Sequence, residues 1–144
     1  GLGADIICGF PGEQNHDFGL TENLIRRFPF SNLHAFPYSE RAGTIAATLS
    51  GAVDREIRRR RAYELTLIAA NHRKKLADSL IGKEVEIIVE KDASLSGWTS
   101  QYLPFKASSA NVKHNADLRK KLVKVKVTGV ENSSLIGIKL SNGR

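Results

Sequence analysis

The sequence predicts an α/β segment followed by a small all-β domain, at residues 1–80 and 81–144. Residues 4–80 mix short apolar runs with stretches whose apolar side chains recur at helical spacing. After Ile81-Gly82 the period changes to two, the signature of strands. Charge divides at the same place. Residues 1–80 carry 11 basic and 9 acidic residues, a net of +2, whereas residues 81–144 carry 11 basic and 6 acidic, a net of +5.

Residues 4–10 form an apolar run broken only by Asp5, and its length and flanking glycines predict a buried parallel strand. Pro11-Gly12-Glu13 follows as a turn. A helix is expected over residues 15–27, with Phe18, Leu24, Ile25 and Phe28 on its apolar face. Asn15 or Asp17 would cap it and Pro29 would end it. Residues 33–38 read as a second strand, which makes a βαβ unit with a right-handed crossover. After a polar loop at 39–51, a long helix is expected over 54–80. Ile57, Leu65, Ile68, Leu76 and Leu80 fall on one stripe of it. Arg55, Arg58, Arg59, Arg60, Arg61, Arg73, Lys74 and Lys75 fall on the other faces, either solvated or set against RNA phosphates.

In the second domain, residues 83–91 alternate, with Val85, Ile87 and Val89 opposite Glu84, Glu86 and Glu90. Residues 98–106 are expected to form a second strand. Residues 122–130 alternate again, with Val123, Val125 and Val127 opposite Lys124 and Lys126. Ile136, Ile138 and Leu140 define the last strand. Short strands in this number predict a small antiparallel barrel of the OB-like kind. The polar, basic stretch 108–121 is expected to be a mobile loop.

Composition narrows the classes. Apolar residues make up 41% and charged residues 26%, a globular balance. No stretch approaches the ~18 apolar residues that span a bilayer, and residues 1–17 do not look like a signal peptide. We expect a cytoplasmic monomer with no membrane contact. The single cysteine, Cys8, allows no internal disulfide and cannot build a cluster or a zinc site alone. Its apolar neighbours predict a buried thiol. The chain has no methionine and opens almost directly on strand-like sequence, which predicts that further elements precede it.

Two segments carry candidate chemistry. Gly9-Phe10-Pro11-Gly12-Glu13 ends the first strand just before a helix, where α/β folds bind ligands. A glycine there lets a ligand approach the backbone, although a plain strand-to-helix turn has the same composition. Phe36-Pro37-Tyr38-Ser39-Glu40-Arg41-Ala42-Gly43-Thr44 ends the second strand. Phe36 or Tyr38 could line an adenine pocket and Arg41 could reach a carboxylate or phosphate. Core packing of Phe36 is the alternative.

The pair "GADIICGFPGE" and "HAFPYSERAGT" resembles the radical-SAM tRNA methylthiotransferase family. The resemblance continues through "RRRRAYELTLIAANHRKKLADSLIGKEVEIIVE", similar to the family's linking helix and the start of its TRAM domain. "GWTSQYLPFK" looks most like the members acting on threonylcarbamoyladenosine. Glu40 and Ala42 stand where the family usually has prolines, and Gln14 where threonine is common. The three-cysteine loop of the radical-generating cluster is missing, as is the N-terminal domain that holds a second cluster.

The resemblance implies the C-terminal part of a partial TIM-like barrel followed by a TRAM domain. It implies insertion of a methylthio group at C2 of a modified adenosine beside the anticodon, with S-adenosylmethionine and two 4Fe-4S clusters as cofactors. Ile7, Gly9, Phe10, Phe36, Tyr38 and Arg41 would lie near S-adenosylmethionine. No catalytic residue and no metal ligand is expected in this chain, and the chain alone is expected to be inactive.

The basic second domain implies a polyanionic partner, most often nucleic acid, and the resemblance implies that this partner is the tRNA anticodon stem-loop. Aromatic rings offer stacking platforms and lysines a charged track. Trp98, Tyr102, Lys106, Lys113, Arg119, Lys120, Lys121, Lys124 and Lys126 are the candidates. Lys124 and Lys126 should project from one strand face, and replacing both should flatten the salt dependence of binding by ~2 units. Core placement of Trp98 or Tyr102 is the alternative. Two rival readings are a freestanding RNA-binding module and a nucleotide-binding α/β enzyme of another reaction type.

Overall fold

The structure, a computed structural model, describes residues 2–91, 94–108 and 117–140. It divides into two compact units, Leu2–His72 and the chain from Arg73 onward.

In the first unit β1 (Leu2–Cys8) and β2 (Phe30–Pro37) pair in parallel across α1 (Asn15–Arg27). Strand β2 begins at Phe30, earlier than its sequence suggested. Helix α1 has the expected bounds, but its N-cap is Gln14, whose backbone N–H donates to Asp17 Oδ2 at 2.9 Å. A short 3-10 turn at Ile45–Thr48 precedes α2 (Arg55–Ser79). Asp54 caps α2 by accepting from the Glu56 N–H at 2.8 Å.

The core of this unit joins Cys8, Ile25, Ala62, Leu65 and Ile68, with Ile6, Phe18, Leu33 and Ala35 against it. Both helices therefore cover one face of the strand pair. The expected α2 stripe is corrected in one respect. Arg58 and Arg61 are buried, whereas Arg55, Arg59 and Arg60 are exposed.

The second unit takes the last turns of α2 and five strands: β3 (Glu84–Lys91), β4 (Ser96–Thr99), β5 (Pro104–Ala107), β6 (Leu122–Glu131) and β7 (Ser134–Lys139). They close into a barrel in the order β3-β4-β5-β7-β6. A five-stranded barrel is compatible with the OB-like expectation, but it is mixed: β5 runs parallel to β7. The single strand expected over residues 98–106 is two strands, because the chain reverses at Tyr102, whose φ is 58°.

The barrel interior holds Ile87, Val89, Phe105, Val123, Val125, Val127 and Leu135, with Ala77 and Leu80 of the helical end. The apolar residues that define the last strand in the sequence do not form its inward face. Leu135 and Gly137 point inward, and Ile136 and Ile138 are only half-buried. Gly137 lies on the tightly packed side. A side chain there would collide with the Lys126 carbonyl oxygen and the Phe105 ring. Most of the expected loop at 108–121 lies outside the described residues.

Candidate functional site

The C-terminal ends of β1 and β2 bring the two motif segments together. Ile7 and Phe36 are register partners. Both are exposed on the face that the helices leave open, where the His34 ring stacks on Phe36 with centroids 6.4 Å apart. Beyond the strand ends, the Tyr38 N–H donates to the Cys8 carbonyl at 2.8 Å. Phe10 meets Tyr38 edge to face at 5.3 Å. Ile7, Phe10, Phe36 and Tyr38 thus gather at one end of the parallel pair, the end where α/β folds take ligands. The Tyr38 hydroxyl is buried without a hydrogen-bond partner among the described residues. Arg41 is exposed, and its carbonyl accepts from Thr44 Oγ1 at 2.8 Å.

Two arginines one turn apart on α2 fix these loops. Arg61 Nη1 donates to Glu13 Oε1 at 2.6 Å, and its Nη2 donates to Asn15 Oδ1 at 2.8 Å. The other oxygen of Glu13 accepts from the Gly9 N–H at 2.8 Å, so one carboxylate ties the helix to the glycine turn. Arg58 Nε donates to the Val53 carbonyl at 2.6 Å and Nη1 to the Tyr38 carbonyl at 3.1 Å. Arg58 Nη1 also pairs with Glu40 Oε1 at 2.6 Å, and its guanidinium lies 5.3 Å from the Tyr38 ring centroid. Guanidinium suits this work because it keeps its charge and offers donors in several directions.

Gly9 has φ 74°, and a Cβ there would run into the Arg58 side chain. The space over this glycine is therefore filled by the protein itself. Glu40 is held below the ordinary carboxylate range by its own backbone N–H and then by the Arg58 hydrogen bond. Burial, reinforced by the Glu13 charge and opposed by Arg61, pushes the Cys8 thiol up to about 11. Arg58 and Arg61 were not among the expected site residues. A signal was available: Glu13 and Glu40 are the only acids in the two motif loops, and two arginines at i, i+3 spacing follow.

On the barrel, Trp98 points outward and is 40% exposed, and Tyr102 is exposed in the β4–β5 turn. Lys106 projects outward from β5, while Arg119, Lys120 and Lys121 are exposed where the chain enters β6. Lys124 and Lys126 project together from β6 as expected. Their cross-strand partners on β3, however, are Glu86 and Glu84. Lys113 lies outside the described residues. Among the described residues no helix is long and apolar enough to cross a membrane.

These features describe an α/β segment with a ligand-type strand end and, in the same chain, a basic-surfaced five-stranded barrel. No family model matches the chain. The chain is homologous to tRNA methylthiotransferases over most of its length. It is 34% identical over 131 residues to the threonylcarbamoyladenosine tRNA methylthiotransferase MtaB of Bacillus subtilis, a match covering 86% of this chain and 28% of that protein. It is 34% identical over 141 residues to the tRNA-2-methylthio-N(6)-dimethylallyladenosine synthase of Acetivibrio thermocellus, covering 94% of this chain and 28% of the relative. The synthase of the same name from Maricaulis maris is 29% identical over 136 residues, covering 94% and 30%. The chain spans less than a third of the length of these curated relatives.

Proposed function

We propose that the chain is part of a radical-SAM tRNA methylthiotransferase that acts at C2 of a modified adenosine beside the anticodon. The observation that carries this reading is the extent of the similarity. At 94% of the chain it takes in the motif loops and the barrel alike. The relatives are equally similar whether named for threonylcarbamoyladenosine or for dimethylallyladenosine, at 34% each. The segment Gly97-Trp98-Thr99-Ser100-Gln101-Tyr102 favours the first, N6-threonylcarbamoyladenosine.

In this reading the first unit supplies late strands of the radical-SAM barrel. Ile7, Phe10, Phe36 and Tyr38 would border the adenosyl group, and Arg41 would reach the carboxylate. The fit rests on the apolar strand ends and on the unpaired Tyr38 hydroxyl, a buried polar group that a ligand would satisfy. When bound, S-adenosylmethionine supplies the radical and the methyl group. Arg58 and Arg61 position the two loops and exclude water from beneath them. The 4Fe-4S clusters do not fit this chain's residues. Its one cysteine is buried and held protonated, so cluster ligands would come from elsewhere in the enzyme.

The second unit would be the TRAM-type tRNA-binding domain. Its basic side chains would hold phosphates and Trp98 or Tyr102 a splayed base. Fluorescence-anisotropy titration of a labelled anticodon stem-loop with the full chain tests this. We expect saturable binding that weakens steeply between 50 and 200 mM salt, as counterion release requires. Failure to bind the stem-loop at low salt would remove tRNA binding from this chain.

A further inference from the structure

One feature of the barrel surface was not expected from the sequence. Four outward-facing apolar residues stand directly opposite one another on four neighbouring strands. Leu122 on β6 faces Ile88 on β3, Ile88 faces Trp98 on β4, and Trp98 faces Pro104 on β5. Leu122 is 66% exposed and Ile88 53%. At ~4.8 Å per strand the row is about 14 Å long. Outer barrel positions are ordinarily polar, and a continuous row of this kind calls for an occupant.

The two sides of the row differ in charge. On one side Glu86 faces Lys124 and, beyond them, Glu84 faces Lys126, so the pairs cancel. On the other side stand Lys91, paired with Ser96, and Lys106, paired with the same Ser96. Lys120 and Lys121 join them, placed beside Val89 by the Lys120 N–H to Val89 carbonyl bond of 2.8 Å and the Val89 N–H to Lys121 carbonyl bond of 3.0 Å. Glu90 is the acid on β3 among these lysines, and the neighbouring Arg119 and Asp117 offset each other. An apolar row with an indole at its centre and lysines along one edge fits a nucleobase with its phosphates. A stable protein partner would need about 800 Å² per side, more than four side chains supply.

We propose that this row is the platform for an unstacked RNA base, with the phosphates on the Lys91, Lys106, Lys120 and Lys121 side. The Lys124 and Lys126 face is then not the track. The proposal rests on the tRNA-binding reading above and narrows it to one surface.

Trp98 is the only tryptophan in the chain, so its emission reports on the platform directly. The anticodon stem-loop titration is repeated while following that emission, with an RNA duplex of equal length as control. We expect saturable quenching by the stem-loop and little by the duplex. Leu122→Glu and Ile88→Glu, both at exposed positions, should weaken binding at least fivefold with an unchanged thermal midpoint. Trp98→Ala, followed by anisotropy, should weaken it about tenfold. Lys120→Gln with Lys121→Gln should reduce the salt slope by about 1.4–1.8, and Lys124→Gln with Lys126→Gln should leave it unchanged.

Stem-loop binding without a Trp98 response would overturn the platform and leave the tRNA reading intact. So would equal quenching by the duplex, or a slope lost in the Lys124/Lys126 variant instead. Emission that changes with protein concentration in the absence of RNA would assign the row to a second copy of the chain. If no stem-loop binds at all, both readings fall.

Discussion

Arg61 is 3% exposed and its guanidinium is shared by Glu13, Asn15 and the face of Phe18. A buried charge that loses its partner costs far more than a surface pair. Arg61→Met should therefore destabilise the chain by about 3–5 kcal/mol in urea unfolding. Adding Glu13→Gln should recover part of this loss, because the carboxylate is then no longer stranded. A fully additive double variant would show that the pair is not coupled. Cys8, 1% exposed, should resist iodoacetamide at neutral pH and react only on unfolding. Its pKa is raised from 9.0 to about 11, so its contribution to stability is complete below about pH 9 and is lost as pH rises towards 11. Cys8→Ala should flatten the stability profile in that window, and an identical alkaline slope in the variant would count against it. The burial of Cys8 was legible in its apolar neighbours. The burial of two arginines was not, because a basic run on a helix is ordinarily solvated and only the two distant loops supply their partners.

Among the elements, the helices and the alternating strands were legible because periods of 3.6 and two are local properties of the chain. Helix α1 kept its predicted bounds for this reason. What was not legible depends on contacts distant in sequence. The break of residues 98–106 into β4 and β5 turns on Tyr102 at positive φ, a conformation few side chains advertise. The parallel β5–β7 pairing and the inward placing of Leu135 and Gly137 follow from barrel closure, which brings Gly137 under Phe105. The outer apolar row is also a product of register, since its members come from four separate strands. Gly97 is a further closure point, where a Cβ would strike the Ile88 carbonyl oxygen. Gly97→Ala should shift β3 against β4 and cost at least ~2 kcal/mol in denaturant unfolding. A variant as stable as the parent would mean that the strands do not approach this closely.

At the scale of the molecule, the change of period and of charge lies at Ile81-Gly82, whereas the structure divides earlier, between His72 and Arg73, inside α2; the paired motifs pointed to the same methylthiotransferases that the chain is similar to. The strand ends of the first unit and the barrel surface of the second are separate candidate sites, each described by its own residues. Anaerobic reconstitution of the full chain with iron and sulfide is expected to give no stoichiometric cluster, because a cluster open to S-adenosylmethionine needs three thiolates and the chain has one cysteine. Iron and sulfide bound at cluster stoichiometry by the monomer would contradict this. The central claim, that the chain serves a tRNA methylthiotransferase, is tested most directly in the tRNA itself. The gene carrying this chain is inactivated in its own cells, and nucleosides from digested tRNA are compared by mass spectrometry. We expect 2-methylthio-N6-threonylcarbamoyladenosine to disappear and its unthiolated precursor to accumulate. An unchanged nucleoside profile, with every methylthioadenosine still present at its normal level, would contradict the claim.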